Sequence, residues 1–199
     1  MAERLLGILR LVSDLADAHA AAIDWLAEGK PSDSFDLGYG RFVGTEHDYT
    51  GKEALATLRD KPALNKVTLQ WNRDDAAGLL AEMLTPGGKD VRALHLPTLA
   101  DKLEVHYDRI SSGGADIRGN SAYTGYTPNE RSILSLALVD PAVEIGDEIV
   151  IHWGEAGGGY GDAVVPATDI AEIRATVSPA PYTRVAREDY RKRAISGAA

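Results

Sequence analysis

The stretch from Gly119 to Trp153 constrains the fold most, because short apolar runs alternate there with turn residues. Ile133–Val139 is a nearly continuous apolar run of strand length, and Ile149–Trp153 is rich in β-branched residues, which favour strands. Asp140-Pro141 ends the first run, since proline fixes φ and offers no backbone donor to a sheet. We therefore predict a strand, a turn, a strand, a polar connection and a further strand.

Hydrophobic periodicity predicts the other elements. The expected strands outside the central runs are Tyr39–Val43, Lys66–Trp71, Leu103–Asp108, Ile117–Tyr123 and Ile170–Val177. The expected helices are one over residues 1–28, one that begins at Thr50 with Glu53 completing a capping box, one from Asn72 to about Leu84, and a short one within the charged residues 182–195. Many short strands after a partly helical first half predict an α+β protein with an antiparallel sandwich or barrel.

The first 28 residues form an amphipathic pattern. Apolar side chains recur at helical spacing from Leu5 to Leu26, and Gly29 and Pro31 end the pattern. Such a helix can pack on the rest of the chain or dock on a partner chain, and the pattern supports both interpretations.

Composition narrows the function classes. A net charge of −9 argues against a general nucleic-acid binder, which needs a basic face. The chain has no cysteine, which excludes disulfides, cysteine nucleophiles and thiolate metal sites. Its five histidines fall in no metal-ligand spacing, so we expect no metal site. No apolar run has the length of a membrane helix and none resembles a signal peptide, so we expect a cytoplasmic protein.

The segment Tyr123–Arg131 is the most reactive-looking part of the sequence, and we expect it to form a turn. The two phenols could stack on a planar ligand, and Arg131 could bind a carboxylate through two hydrogen bonds. The alternative is a turn whose polar side chains satisfy the loop backbone. The candidate ligand contacts are Tyr123, Tyr126, Asn129, Glu130 and Arg131.

Three other features favour structural roles. His152 could act as a general base, but a surface or satisfied histidine is the more common case. Arg174 is expected to be a solvated strand position. The glycine-rich run at residues 154–161 follows a strand but opens no helix, as a dinucleotide site would require, so it is interpreted as a loop.

Six motifs follow one another along the chain: DLGYGRF from Asp36, DYTGKEAL from Asp48, KVTLQWN from Lys66, the run from Gly119 to Asp140, GDEIVIHWGE from Gly146, and IRATVSPAPY from Ile173. In these motifs the chain resembles the C-terminal part of the glycine-cleavage T-protein superfamily, and more narrowly its branch of tetrahydrofolate-dependent aromatic O-demethylases. The resemblance spans about residues 33 to 193.

The resemblance carries structural implications. It implies a small β-barrel packed against a folate-binding half, tetrahydrofolate as the cofactor, Tyr39 and Arg41 near the folate pocket, and the Tyr123–Arg131 turn facing the folate-side cleft. The implied domains are an N-terminal helix at 1–31 that could dock a partner, an α/β remnant of the folate-binding region at 32–100, a β-barrel at 101–181 and a charged tail at 182–199.

The resemblance also implies that this chain lacks the catalytic part of the family's enzymes. The Arg-Leu-Glu motif that precedes the glycine-rich stretch in full-length relatives is not found here, and most folate contacts of the family belong to the N-terminal half. No catalytic residue is therefore assigned. The expected protein is a small subunit or C-terminal half of a one-carbon or methyl transferase that needs a partner chain, or a truncated descendant of a longer enzyme. The alternatives are a folate-independent lyase or decarboxylase subunit acting on a lignin-derived aromatic, and a non-catalytic interaction module.

Overall fold

The computed structural model of the chain describes residues 34–44, 46–59, 64–94, 107–113, 116–155 and 166–189. The predicted helix at 1–28, the predicted strand residues before 107 and the end of the charged tail lie outside the described residues. The helices are a 3₁₀ turn Gly40–Phe42, α1 (Lys52–Leu58), α2 (Arg73–Met83) and a five-residue π-helical turn Val185–Asp189. The strands are β1 (Asn65–Trp71), β2 (Asp108–Ser111), β3 (Ile117–Thr127), β4 (Ser132–Val139), β5 (Glu148–Trp153) and β6 (Ala171–Pro179).

The six strands form one closed antiparallel barrel in the order β1-β4-β3-β2-β5-β6. Pairing of β1 with β6 completes the ring, and closure is what removes exposed sheet edges. The predicted α+β class with an antiparallel barrel is confirmed. The barrel was predicted to begin at residue 101, but β1 lies earlier, within segment 32–100, and is one of its strands. It belongs to the barrel because its apolar side chains also face the interior.

The barrel interior is filled by side chains that alternate along each strand, as strand geometry requires. Ile149, Ile151 and Trp153 of β5 point inward and are buried, whereas Val150 and His152 lie on the outer face and are partly exposed. The strand predicted at Ile149–Trp153 is confirmed. The other fully enclosed apolar side chains include Leu69, Ile110, Val139, Ile173 and Val177.

A short polar chain crosses this apolar interior. Trp71 donates its indole N–H to Ser135 Oγ at 3.1 Å, and Ser121 donates its hydroxyl to the same oxygen at 2.8 Å. The Trp71 and Trp153 rings meet edge to face with centroids 5.3 Å apart. The hydrogen bond to Ser135 gives the buried Trp71 indole N–H an acceptor, which it would otherwise lack in the apolar interior.

β3 and β4 approach closely at Gly119. A Cβ at this position would lie 2.3 Å from the carbonyl oxygen of Leu138 and 2.8 Å from the Cα of Val139. The chain therefore needs glycine here, and any side chain would push the two strands apart.

Helix α2 docks on the outside of the barrel through an ion pair. Asn72 caps the helix by accepting hydrogen bonds from the amides of Asp74 and Asp75, which confirms the predicted start. Asp75 in turn binds the Arg174 guanidinium on β6 at 2.9 and 2.7 Å and accepts the Arg174 amide. The expectation that Arg174 is only solvated is wrong, because its strand runs beside the first turn of α2.

Two predicted elements differ from the structure. Residues 40–42 form a 3₁₀ turn and not the expected strand, since the amides of Phe42 and Val43 donate to the carbonyls of Tyr39 and Gly40. The helix predicted to start at Thr50 is capped by Gly51 with φ 87°, without a side-chain cap. Thr50 and Glu53 therefore form no capping box.

The predicted turn at Tyr123–Arg131 is shorter than expected. β3 continues to Thr127, and only residues 128–131 turn. A bulge between Ala122 and Gly125, where Tyr123 takes a φ of 50°, absorbs the irregular residues within the strand. None of the helices in the described ranges combines the length and apolarity needed to cross a membrane.

We predict that Ser135→Ala destabilises the barrel. The substitution leaves the Trp71 indole N–H and the Ser121 hydroxyl buried without their acceptor, at about 1–3 kcal/mol of unfolding free energy. Urea denaturation measures the change, and Ser112→Ala, in the exposed turn after β2, is the matched control. Equal effects of the two substitutions would contradict the role assigned to Ser135.

We predict that Arg174→Ala lowers the unfolding free energy slightly near neutral pH, since water screens much of the attraction between Arg174 and Asp75. The hydrogen bond from the Arg174 side chain holds the Asp75 pKa below its usual value of 3.8. The contribution of the pair is therefore present above that value and is lost as the pH falls through the lowered pKa. Denaturation at several pH values should show the difference between variant and wild type shrinking in acid. Arg73→Ala, which removes a pair of two exposed groups, is the control.

Candidate functional site

A groove of ≈ 740 Å³ lies on the outer face of the barrel, over β1 and β4. We call it the outer groove. Its size is in the range of small-molecule sites. Its lining comes from one wall at residues 35–39, a floor on the two strands and a second wall after β6: Phe35, Asp36, Leu37, Gly38, Tyr39, Leu64, Asn65, Lys66, Leu136, Ala180, Pro181 and Arg187.

The first wall is a compact turn tied to the start of β1. Tyr39 donates its amide to Ser34 and Gly38 donates its amide to Phe35, at 2.8 and 2.9 Å. The Leu64 amide donates to Asp36 Oδ1 at 2.7 Å, which fixes the turn against the strand. These bonds position Tyr39 over the groove.

Tyr39 and Lys66 form the central feature of the outer groove. The ammonium of Lys66 lies 5.4 Å from the Tyr39 ring centroid, and the ring is half exposed. Such a contact is worth about 0.5–1 kcal/mol at an exposed site. The phenol ring therefore presents an aromatic surface beside a positive charge, with the exposed side chain of Leu136 on the floor.

The second wall is held by Arg187. Its guanidinium donates to the carbonyl oxygens of Pro181, at 2.7 Å, and Tyr182. Lys66 and Arg187 contribute two positive charges to the lining, against the one carboxylate of Asp36. The groove is thus basic on a chain whose net charge is −9, which suits an anionic ligand.

The predicted site residues fall into separate places. Tyr39 lines the outer groove, and Arg41 lies in the adjoining 3₁₀ turn Gly40–Phe42. The candidates on the β3–β4 hairpin do not line it: Tyr123, Tyr126, Asn129, Glu130 and Arg131.

The hairpin candidates are all exposed, and only three of them share the turn. Asn129, Glu130 and Arg131 lie at the tip, whereas Tyr123 and Tyr126 are on β3 and are 45% and 47% exposed. Leu136 of the groove floor pairs with Ala122, which precedes Tyr123. The hairpin therefore starts beside the outer groove without contributing to it.

Of the residues that line the outer groove, sequence reasoning predicted only Tyr39; Lys66, Leu136 and Arg187 are among those it missed. Lys66 and Leu136 face outward on strands whose alternate residues face the core. The signal available in the sequence was Leu136, an apolar residue at a position of β4 where alternation predicts an outward side chain. Arg187 lies in a charged segment where nothing distinguishes it from its neighbours. Its role depends on the path of the chain after β6.

His152 belongs to a different polar cluster. Its Nε2 lies 2.8 Å from Ser111 Oγ, and its Nδ1 lies 4.0 Å from Glu172 Oε1. This order of groups resembles a nucleophile, base and acid. Ser111 is completely buried, however, so its hydroxyl cannot reach a substrate. The described ranges also contain no group of three acidic or histidine side chains able to hold a metal ion.

We predict that Asp36→Ala loosens the first wall of the outer groove. Loss of a hydrogen bond worth about 1 kcal/mol should speed amide exchange of Leu64 roughly fivefold. Hydrogen exchange measured by NMR tests this, with Asp48→Ala as a control because the Asp48 side chain is fully exposed where it pairs with Lys52. An unchanged Leu64 exchange rate would contradict the positioning role of Asp36.

Two characterised proteins are similar in sequence to this chain. A syringate O-demethylase from Sphingobium sp. (strain NBRC 103272 / SYK-6) is 34% identical over 164 residues, which are 82% of this chain and 35% of the demethylase. A sesamin methylene transferase from Sinomonas sp. (strain No.22) is 30% identical over 179 residues, which span 78% of this chain and 34% of that protein. No protein-family model matches the chain.

The chain thus spans about a third of the length of each relative. The relatives are named for removal of a methyl group and for transfer of a methylene group, and the six-stranded barrel agrees with the C-terminal barrel that the motifs indicate. In sequence and in its barrel, this chain resembles the C-terminal part of the glycine-cleavage T-protein superfamily, and within it the branch of the aromatic O-demethylases.

Proposed function

We propose that this chain is the barrel-bearing part of a tetrahydrofolate-dependent enzyme that removes methyl or related one-carbon groups from aromatic ethers. The observation that carries the proposal is the outer groove, in which Tyr39, Lys66 and Arg187 combine an aromatic face with two positive charges. The similarity to an O-demethylase and a methylene transferase supports the same class of reaction.

The residues of the outer groove fit tetrahydrofolate in kind. The cofactor contains flat rings, which can stack on Tyr39, and a glutamate tail, whose carboxylates suit Lys66 and Arg187. Tetrahydrofolate supplies the acceptor for the one-carbon group when it is bound. This chain would hold and orient the cofactor and shield one side of it from water.

The proposal includes a partner that carries the catalytic half. The described part of the chain offers no acid–base group at the outer groove besides Asp36, Tyr39 and Lys66. Asp36 is already engaged with the Leu64 amide. A second chain, with the fold of the family's N-terminal half, would complete the cleft, and both chains would work in the cytoplasm.

We predict that Lys66→Ala weakens tetrahydrofolate binding roughly fivefold, since a partly solvated charge–carboxylate contact contributes about 1 kcal/mol. Tyr39→Ala should weaken it to a similar extent through loss of stacking. Isothermal titration calorimetry of the purified chain, and of the complex that it forms in its host, measures both effects. Lys89→Ala is the control, because Lys89 is exposed and does not line the groove.

Two outcomes would contradict the proposal. If the wild type and both groove variants bound tetrahydrofolate with equal affinity, the outer groove would not be the tetrahydrofolate site. Absence of tetrahydrofolate binding to the chain and to its complex would leave a folate-independent enzyme or an interaction module.

A further inference from the structure

A buried ionic cluster lies at one end of the barrel, outside the outer groove. Arg92 binds Asp108 of β2 through one terminal nitrogen and Glu155, just after β5, through the other at 2.8 Å. Asp108 is 2% exposed and Arg92 is 10% exposed, whereas Glu155 is 32% exposed. One guanidinium is therefore shared between an interior carboxylate and a carboxylate at the rim.

Trp153 connects this cluster to the core. The Arg92 guanidinium carbon lies 3.8 Å from the centroid of the Trp153 ring, and the indole N–H donates to the Arg92 carbonyl oxygen at 2.9 Å. Trp153 also forms the edge-to-face pair with Trp71 in the barrel interior. A change at Arg92 is therefore transmitted to a tryptophan that fills the barrel.

The backbone around Arg92 has its own attachment. Asp169 donates its amide to the Asp90 carbonyl at 2.8 Å, and Asp90 donates its amide to an Asp169 carboxylate oxygen at 3.0 Å. Val91 also bridges to Asp169. These bonds hold the segment on the barrel end independently of the Arg92 side chain, so the side chain can change partner while the segment stays in place.

The cluster is not fully satisfied. Within the part of the chain that the structure describes, Oδ2 of Asp108 and Nε of Arg92 are buried and form no hydrogen bond. Two carboxylates compete for one guanidinium, and a buried charge is costly unless it is fully paired. A proton on Asp108 relieves the excess negative charge and gives Glu155 sole use of the Arg92 charge.

We propose that Asp108 is a buried proton switch, which decides whether Arg92 is held from the barrel interior or only from the rim by Glu155. Burial raises the Asp108 pKa to about 6, Arg92 opposes that rise, and Glu155 adds to it. The groups that act on Asp108 are Arg92 from the segment before residue 94, Glu155 and the Gly154 amide after β5. Ser121 of β3, directly opposite, offers no charge.

The sign of the effect follows from the two pKa values. The unfolded carboxyl titrates near 3.8 and the folded one near 6, so the folded chain holds the extra proton between these values. The contribution of Asp108 to stability is complete below the unfolded pKa and is lost as the pH rises through the folded pKa. Above that range, Arg92 bridges both carboxylates.

The direct test is an NMR titration of the full chain from pH 4 to 8. We expect the Asp108 carboxyl carbon to titrate with a midpoint near 6, and the Trp153 indole N–H signal to shift with the same midpoint. In Asp108→Asn the indole shift should disappear. His152→Gln is the control, because imidazoles in general change charge in this pH range and His152 precedes Trp153.

The outcomes separate the switch from a simple ion pair. A carboxyl midpoint at or below 4 in the wild type would overturn the proposal, since Asp108 would then stay ionised and paired. An indole shift that survives in Asp108→Asn but vanishes in His152→Gln would also overturn it. The wild-type carboxyl titration needs no substitution, so the proposal can be tested even if Asp108→Asn fails to fold.

Discussion

The pairing of β1 with both β4 and β6 is the constraint on which the rest of the structure depends. Leu69 lies opposite Ser135 on one side and Val177 on the other, so one strand closes the barrel and completes its core. The same strand turns Lys66 outward onto the floor of the outer groove. Successive side chains of a strand point to opposite faces. β1 can fill the core with one face and form the groove floor with the other only if its register is fixed, because a slip of one residue would exchange the two faces.

The strands were more predictable from sequence than the site. β1, β4, β5 and β6 lie close to their predicted positions, since each is an apolar or alternating run that ends at turn residues. The 3₁₀ turn at Gly40–Phe42 was not predictable, because a short apolar segment fits a strand equally well. The extension of β3 through Tyr126 was not predicted, because this stretch has the composition of a turn. A bulge accommodates these residues within the strand.

The candidate site was only partly predictable for a different reason. Tyr39 was assigned from a motif, whereas Lys66, Leu136 and Arg187 meet it through the closure of the barrel and the path of the chain after β6. Periodicity states which face a residue occupies but not which distant segment covers that face. The five hairpin candidates share a stretch of sequence, yet β3 carries two of them and the tip carries three.

The proposed function divides an enzyme between this chain and a partner, with the barrel supplying cofactor contacts and the partner supplying the catalytic groups. The most direct test follows the methyl carbon. An aromatic acid with a ¹³C-labelled methoxy group is incubated with tetrahydrofolate and either the chain alone or the complex purified from its host, and ¹³C NMR detects the label. The account predicts labelled methyl-tetrahydrofolate from the complex and none from the chain alone. Demethylation by the chain alone, or by the complex without tetrahydrofolate, would contradict it.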